Sequence, residues 1–174
     1  MLKGEKINLR PVQREDLPFF EKWANDDSFN SEFNNFGLRR TDFFAKSFEE
    51  NGYLSNQRGT LMVVTQNGEV VGDVSYHQEA YGPNEGSRVY NIGISLMAEH
   101  RGKGYGVEAQ KLLAAYLFST YPVMRVEAST DIENIPEQHA LEKAGFTREG
   151  VLRKVQWRLG GWHDLVIYSK LRGE

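Results

Sequence analysis

The run from Asn91 to Gly106 constrains this chain more than any other stretch. It begins as an apolar strand with small residues interleaved. It ends in glycines at alternate positions, Gly102, Gly104 and Gly106, directly before a helical pattern that starts at Val107. Glycine permits positive φ and lets the backbone approach a ligand closely, and the first N–H groups of a helix have no partner within it. Strand, tight loop and helix N-terminus in that order make a socket for an anion. A Walker loop needs Ser or Thr after its Gly-Lys, but Gly104 follows Lys103. A dinucleotide loop needs glycine at position 107, which is Val. Both familiar nucleotide readings therefore fail.

Bulk properties remove several other classes. The 174 residues suit a single domain, 1–174, long enough to bury a sizeable core. No run approaches roughly 18 apolar residues, so no membrane span is expected. The N-terminal residues carry basic side chains but no apolar stretch, which points to a cytoplasmic location rather than secretion. The chain has no cysteine, which excludes disulfides, thiolate metal sites and a cysteine acyl-enzyme. His100, His139 and His163 lack metal-ligand spacing, so no metal is expected. A net charge of −3 gives no footprint for nucleic acid.

Taken in order, the chain alternates sheet and helix signals. Lys6 to Pro11 reads as a short strand, and Asp16 to Asp26 as an amphipathic helix carrying Leu17, Phe20 and Ala24. Asn25 to Arg40 mixes Asn, Ser and Gly with Phe29, Phe33 and Phe36 and follows neither period. It reads as an irregular surface loop whose Phe residues plug the core, with a substrate-side flap as the alternative. Thr41 is placed to cap a helix ending near Gly52. Leu61 to Thr65 and Val70 to His77 flank Asn67-Gly68, the signal for a hairpin with a type I′ turn. After a polar loop, Glu79 to Ser87, comes the strand from Val89 to Met97, then a core-facing helix from Val107 to Tyr121. Arg125 to Thr130 is a strand, Asn134 to Ala144 a helix closed by Gly145, and Phe146 to Leu171 a final hairpin. Antiparallel strands with one strand–helix–strand crossover imply an α+β fold, a mixed and mostly antiparallel central sheet flanked by helices.

Arg101, Gly104 and Gly106 stand in the order Arg-x-x-Gly-x-Gly, and the loop resembles the acetyl-coenzyme A signature of the GCN5-related N-acetyltransferases (GNAT). Two further stretches agree. Glu142, Lys143, Ala144, Gly145 and Phe146 resemble the Glu-Lys-x-Gly-Phe close of that fold, and Ile7, Leu9, Arg10, Pro11 with Glu15, Asp16, Leu17 look like the RimJ/RimL-like branch. The resemblance implies the acyl-CoA N-acyltransferase fold, acetyl-CoA as co-substrate and a primary amine as acceptor. It also implies that Leu96 and Met97 offer backbone hydrogen bonds to the pantetheine arm, and that Arg101, Gly102, Lys103, Gly104, Tyr105 and Gly106 cradle the pyrophosphate with main-chain N–H groups. Asn134 matches the family's asparagine beside the pantetheine. With Glu137 it also fits a capping box, which would lower the Glu137 pKa.

Departures from the family concern the chemistry. The tyrosine that protonates the departing thiolate in many members is Leu141 here, and the carboxylate often found on the central strand is Asn91. Glu137 is the candidate acid in place of the tyrosine, and Asn91 the residue that could hold a proton-accepting water. His77, Glu79, Glu127 and Asp131 are further polar residues that could face the acceptor. The expected activity is direct transfer of acetyl to a protein N-terminal α-amine or to a small-molecule or amino-sugar amine. The rival is a non-catalytic acyl-CoA-binding module. The expected partners are acyl-CoA and the amine, with no nucleic acid and no membrane; a homodimer is left open.

Overall fold

Alternation of apolar and polar residues builds the strands, and the order in which they pair decides where a ligand can enter. The computed structural model describes residues 1–174. The strands are β1 (Leu2–Lys3), β2 (Ile7–Pro11), β3 (Arg58–Thr65), β4 (Val70–Ala80), β5 (Arg88–Leu96), β6 (Arg125–Asp131), β7 (Thr147–Arg158) and β8 (Gly161–Leu171). They form one sheet in the order β1-β2-β3-β4-β5-β6-β8-β7, antiparallel at every pairing except β5–β6. This is the expected mixed, mostly antiparallel sheet.

The parallel pair is joined by α4 (Tyr105–Thr120), which packs Ala109, Leu113, Ala114 and Leu117 against Ile7, Leu9, Val63, Val74 and Ile92. With α5 (Ile135–Lys143) it covers one face of the sheet. The other face carries α1 (Leu17–Trp23), α2 (Asp27–Asn30) and α3 (Asp42–Asn51), whose Phe20, Trp23, Phe29 and Phe44 meet Met62 and Val64. Two apolar clusters thus sandwich β3 and β4. Because each strand alternates its side chains between the faces, polar residues of β4 and β5 that a two-layer reading would send to solvent are roofed by α1–α3.

Two local readings need correction. The Asn67-Gly68 hairpin forms, but only Gly68 takes positive φ (84°), so the turn is not type I′. The Thr65 N–H donates to the Glu69 carbonyl at 2.9 Å and the Gly68 N–H to that of Thr65 at 3.0 Å, a longer loop with Gly68 in the left-handed position. The segment after α1 is not wholly irregular either. The Asp26 carboxylate accepts from the Ser28 N–H at 2.9 Å and starts α2, which buries Phe29. No helix is long and apolar enough to cross a membrane.

Candidate active site

β5 and β6 pair only at Tyr90–Val126, Asn91–Glu127 and Ile92–Ala128, and beyond Ile92 they separate. Between them opens a cleft of about 450 Å³, lined by Ile94, Ser95 and Leu96 on one side and Asn134, Pro136, Glu137 and Ala140 on the other. The ladder fixes which backbone groups face it. The Met97 N–H donates to the Val71 carbonyl at 3.0 Å. In the alternation of an antiparallel pair, residues 91, 93, 95 and 97 therefore turn their backbone to β4, whereas Ile94 and Leu96 turn theirs into the gap. Hence Met97 is spent in the sheet and does not line the cleft, and Ile94, absent from the sequence reading, supplies an open N–H in its place. Asn91 lies in the paired part of β5, before the cleft begins, and lines neither cavity.

The loop at the mouth of the cleft is built for an anion. Gly102 (φ 75°) and Gly104 (φ 83°) hold left-handed conformations, which bring the backbone round to the α4 N-terminus. From Gly102 through Val107 no backbone N–H finds an acceptor in the protein, while the Glu108 N–H closes the first helical turn on Gly104. Such a row of free donors at a helix N-terminus fits a pyrophosphate. The Lys6 Nζ lies over the loop and donates to the Lys103 carbonyl at 3.3 Å, a cation that the sequence reading missed. Arg101 differs from its expected main-chain role, because its N–H already donates to the Ala98 carbonyl at 3.2 Å. Its Nε donates to the Leu96 carbonyl at 3.0 Å and its Nη2 to the Phe29 carbonyl at 3.0 Å, so the side chain staples α2 to the end of β5. Tyr105 contributes backbone, its half-buried ring packing beside His100.

On the opposite face a second pocket, of about 370 Å³, is walled by Trp23, Phe29, Phe36, Phe43 and Tyr53, with Asp73, Ser75 and Ser95 at its floor. It shares Phe29, Asn34, Ile94 and Ser95 with the first cleft, so the two cavities meet at the free end of β5. Asp73 stands in register with Ser95. Its carboxyl accepts no hydrogen bond and joins no ion pair in the protein, and burial pushes its pKa up to about 7 against an opposing pull from Arg39. A carboxyl so placed can take a proton near neutrality. The sequence reading missed Asp73. The available signal was an acidic residue set among valines, with Asp73, Ser75 and His77 along one side of the strand.

Glu137 also departs from expectation, and in direction. Asn134 precedes α5 but makes no capping hydrogen bond; its Nδ2 donates instead to Thr130 Oγ1 at 3.0 Å. No capping box forms. The Glu137 carboxyl turns inward, where Gln110, itself 1 % exposed, donates to it at 3.0 Å. Burial outweighs that hydrogen bond and pushes the Glu137 pKa up to about 7, not down. The remaining polar candidates are engaged elsewhere. Asp131 pairs with Arg158 at 2.5 Å, Glu127 with Arg125, and His77 with Glu79 at 2.9 Å. Leu141, at the family's tyrosine position, is fully buried in the core.

Comparison with known proteins bears on the family and the fold. The family profile described as "Acetyltransferase (GNAT) domain" matches residues 6–147. A probable N-acetyltransferase of Bacillus subtilis, YjcK, is 29% identical over 98% of this chain and 97% of its own. A GNAT-family acetyltransferase from Bacillus anthracis superposes with a TM-score of 0.81 at 23% identity, covering 99% of each chain. Spermidine N-acetyltransferase from Vibrio cholerae, solved with CoA and spermine, superposes with a TM-score of 0.80 at 21% identity over 97% of each chain.

Proposed function

The chain belongs to the GNAT acetyltransferase family, and we propose that it transfers acetyl from acetyl-CoA directly to a primary amine held in the α1–α3 pocket. The observation that carries this reading is that two cavities of different character meet at Ile94 and Ser95, where β5 leaves its neighbour. One cavity offers free backbone donors; the other offers a free carboxyl. Two reactants held at such a junction gain much of their acceleration from positioning alone.

Acetyl-CoA, when bound, supplies the acyl group already activated as a thioester. Gly102 to Val107 would hold its pyrophosphate, and Leu96 and Asn134 its pantetheine arm. The Ile94 N–H, pointing into the gap and tied to nothing, is the donor that would polarise the acyl carbonyl. Asp73 takes the proton from the incoming ammonium, since its carboxyl is substantially ionised at neutral pH. Glu137, whose pKa burial raises to about 7, keeps a substantial protonated fraction near neutrality and gives its proton to the departing sulfur. It does the work of the missing tyrosine from one turn earlier in α5.

The branch resemblance carries less. In the RimJ/RimL-like stretch, Arg10 holds Asp16 through two hydrogen bonds, at 2.6 and 2.8 Å, and so fixes β2 to the start of α1. That is a structural clamp with no contact to the acceptor pocket, so we infer no acceptor from it.

Calorimetric titration with acetyl-CoA tests the reading. The wild type binds and Gly104→Glu does not, because a side chain at φ 83° strains the loop and its carboxylate repels the phosphates. Circular dichroism checks that the variant is folded. Absence of wild-type binding at millimolar acetyl-CoA would overturn the proposal.

A further inference from the structure

The acceptor pocket carries charge at two points, and the ion pairs around it show which charges are free. Three cations, Arg39, Arg40 and Lys46, line an adjoining cavity that shares Arg39, Phe43 and Phe44 with the pocket. Asp42 takes two of them, Arg40 at 2.7 Å and Lys46 at 3.1 Å. Arg39 has no carboxylate within ion-pair reach, although it lines the pocket and acts on Asp73 from a distance. Its backbone is nevertheless fixed. The Asn25 side chain accepts from the Arg39 N–H at 2.9 Å and donates to the Arg39 carbonyl at 3.0 Å. A guanidinium mounted on a pinned backbone and left without a counter-ion suits a planar anion, which it can grip through two donors.

Aromatic rings line the same pocket as Asp73 and the exposed Arg39. Trp23 stacks on Phe29 with ring centroids 4.3 Å apart, and Phe20 lies between Phe44 at 5.8 Å and Tyr53 at 5.4 Å. The volume, about 370 Å³, is at the small end of the range for ligand sites. The polar loop from Glu79 to Ser87, the other segment that could have opened a groove for a peptide, lines neither cavity; its Tyr81 reaches Glu127 instead.

We propose that the acceptor is a small amino acid-like amine, with an apolar or aromatic body, whose amine is received by Asp73 and whose carboxylate is received by Arg39. The proposal rests on the acetyltransferase reading and narrows it. A polyamine meets an unpaired cation where it needs a second acid, and like charges so placed are repelled. A protein N-terminus has its first carbonyl in a peptide bond and so offers Arg39 no carboxylate beside the amine. In the reaction the amine nitrogen, having lost one proton to Asp73, forms the bond to the acyl carbon; as the carbon–sulfur bond breaks, the sulfur takes the proton of Glu137 and the nitrogen gives its second proton to solvent. The products are an N-acetyl amino acid and free CoA thiol.

Thiol release, followed with phenylalanine, phenethylamine, spermine and a tetrapeptide with a free amino terminus, tests this directly. Wild-type kcat/KM is expected to be at least tenfold higher for phenylalanine than for phenethylamine, which lacks only the carboxylate. Arg39→Ala should bring that ratio close to one, mainly by raising KM for phenylalanine, and Arg39→Lys should restore part of it. Acetyl-CoA calorimetry on each variant reports folding and cofactor binding independently of the acceptor. Preference for phenethylamine, spermine or the tetrapeptide, or a ratio unmoved by Arg39→Ala, overturns the proposal while the acetyltransferase reading stands. Acetyl-CoA binding without turnover of phenylalanine does the same. Failure of the wild type to bind acetyl-CoA overturns both.

Discussion

Two aspartates in the same sheet have opposite surroundings. Asp131, at the end of β6, is 3 % exposed and fully engaged: Arg158 Nη2 lies 2.5 Å from its Oδ2, the Glu133 N–H donates at 2.8 Å, and His163 approaches to 3.2 Å. Burial works against its charge, but these partners, Arg158 foremost, outweigh it and hold its pKa below the ordinary value. Asp73, in the middle of β4, is half-buried on the pocket floor and has no partner, and its pKa is driven up to about 7. The first carboxylate is used up by architecture: Arg158 also reaches the Phe33 carbonyl at 3.3 Å and ties the β7–β8 hairpin to the loop beside the cleft. The second is available for chemistry. A buried charge with all its partners holds a fold in one arrangement, whereas one without partners costs stability and is retained where a proton must move.

The largest effect that separates the two is on turnover. Asp73→Asn should lower kcat/KM by about 10²–10⁴, the usual contribution of a positioned proton acceptor, with acetyl-CoA affinity by calorimetry unchanged. Asp131→Ala should act on folding instead. It leaves Arg158 buried without its partner and should cost about 3–5 kcal/mol in urea denaturation, with activity lost only as the folded fraction falls.

Glu137→Gln comes next. Because a thiol with a pKa of about 8.5 departs tolerably unaided, the loss in kcat should lie at the lower end for proton transfer, about 10². The alkaline limb of the kcat/KM profile, set by a group near pH 7, should disappear. The smallest effect is on stability, and its sign differs between the two aspartates. Asp73 has its folded pKa raised, so its charge opposes folding as pH climbs from about 4 through about 7. Asp73→Asn should therefore stabilise the protein at pH 8, by roughly 1–3 kcal/mol, and do little near pH 4. Asp131 has its folded pKa lowered, so its contribution is present above the ordinary carboxylate pKa and lost as pH falls through the depressed value. Thermal melts of both variants at the two pH values would check the crossing.

How much of this could be read from the sequence follows from how local each feature is. Gly102 and Gly104 were legible because backbone conformation at a loop depends on the residues in it. The α4 face and the strand–helix–strand crossover were legible because periodicity is local too. Asp73 was not. Its alternation with Ser75 and His77 reads as a solvent face, and only helices α1–α3, placed much earlier in the chain, turn that face into a pocket floor. Glu137 misled for the same reason. The Asn134–Glu137 spacing fits a capping box, but the side chain is drawn inward towards Gln110 of a different helix, which reverses its pKa shift. Arg101 matched a loop motif and yet ties α2 to β5, a contact spanning 72 residues of chain.

The most direct test of the central claim, that Asp73 is the proton acceptor at the junction of the two cavities, is the pH dependence of kcat/KM for wild type and Asp73→Asn, measured side by side. The account predicts that wild-type activity rises through about pH 7 on its acid limb, and that Asp73→Asn loses this limb along with most of its rate while still binding acetyl-CoA. An Asp73→Asn enzyme that keeps the wild-type acid limb and rate would contradict it, and would place the base elsewhere.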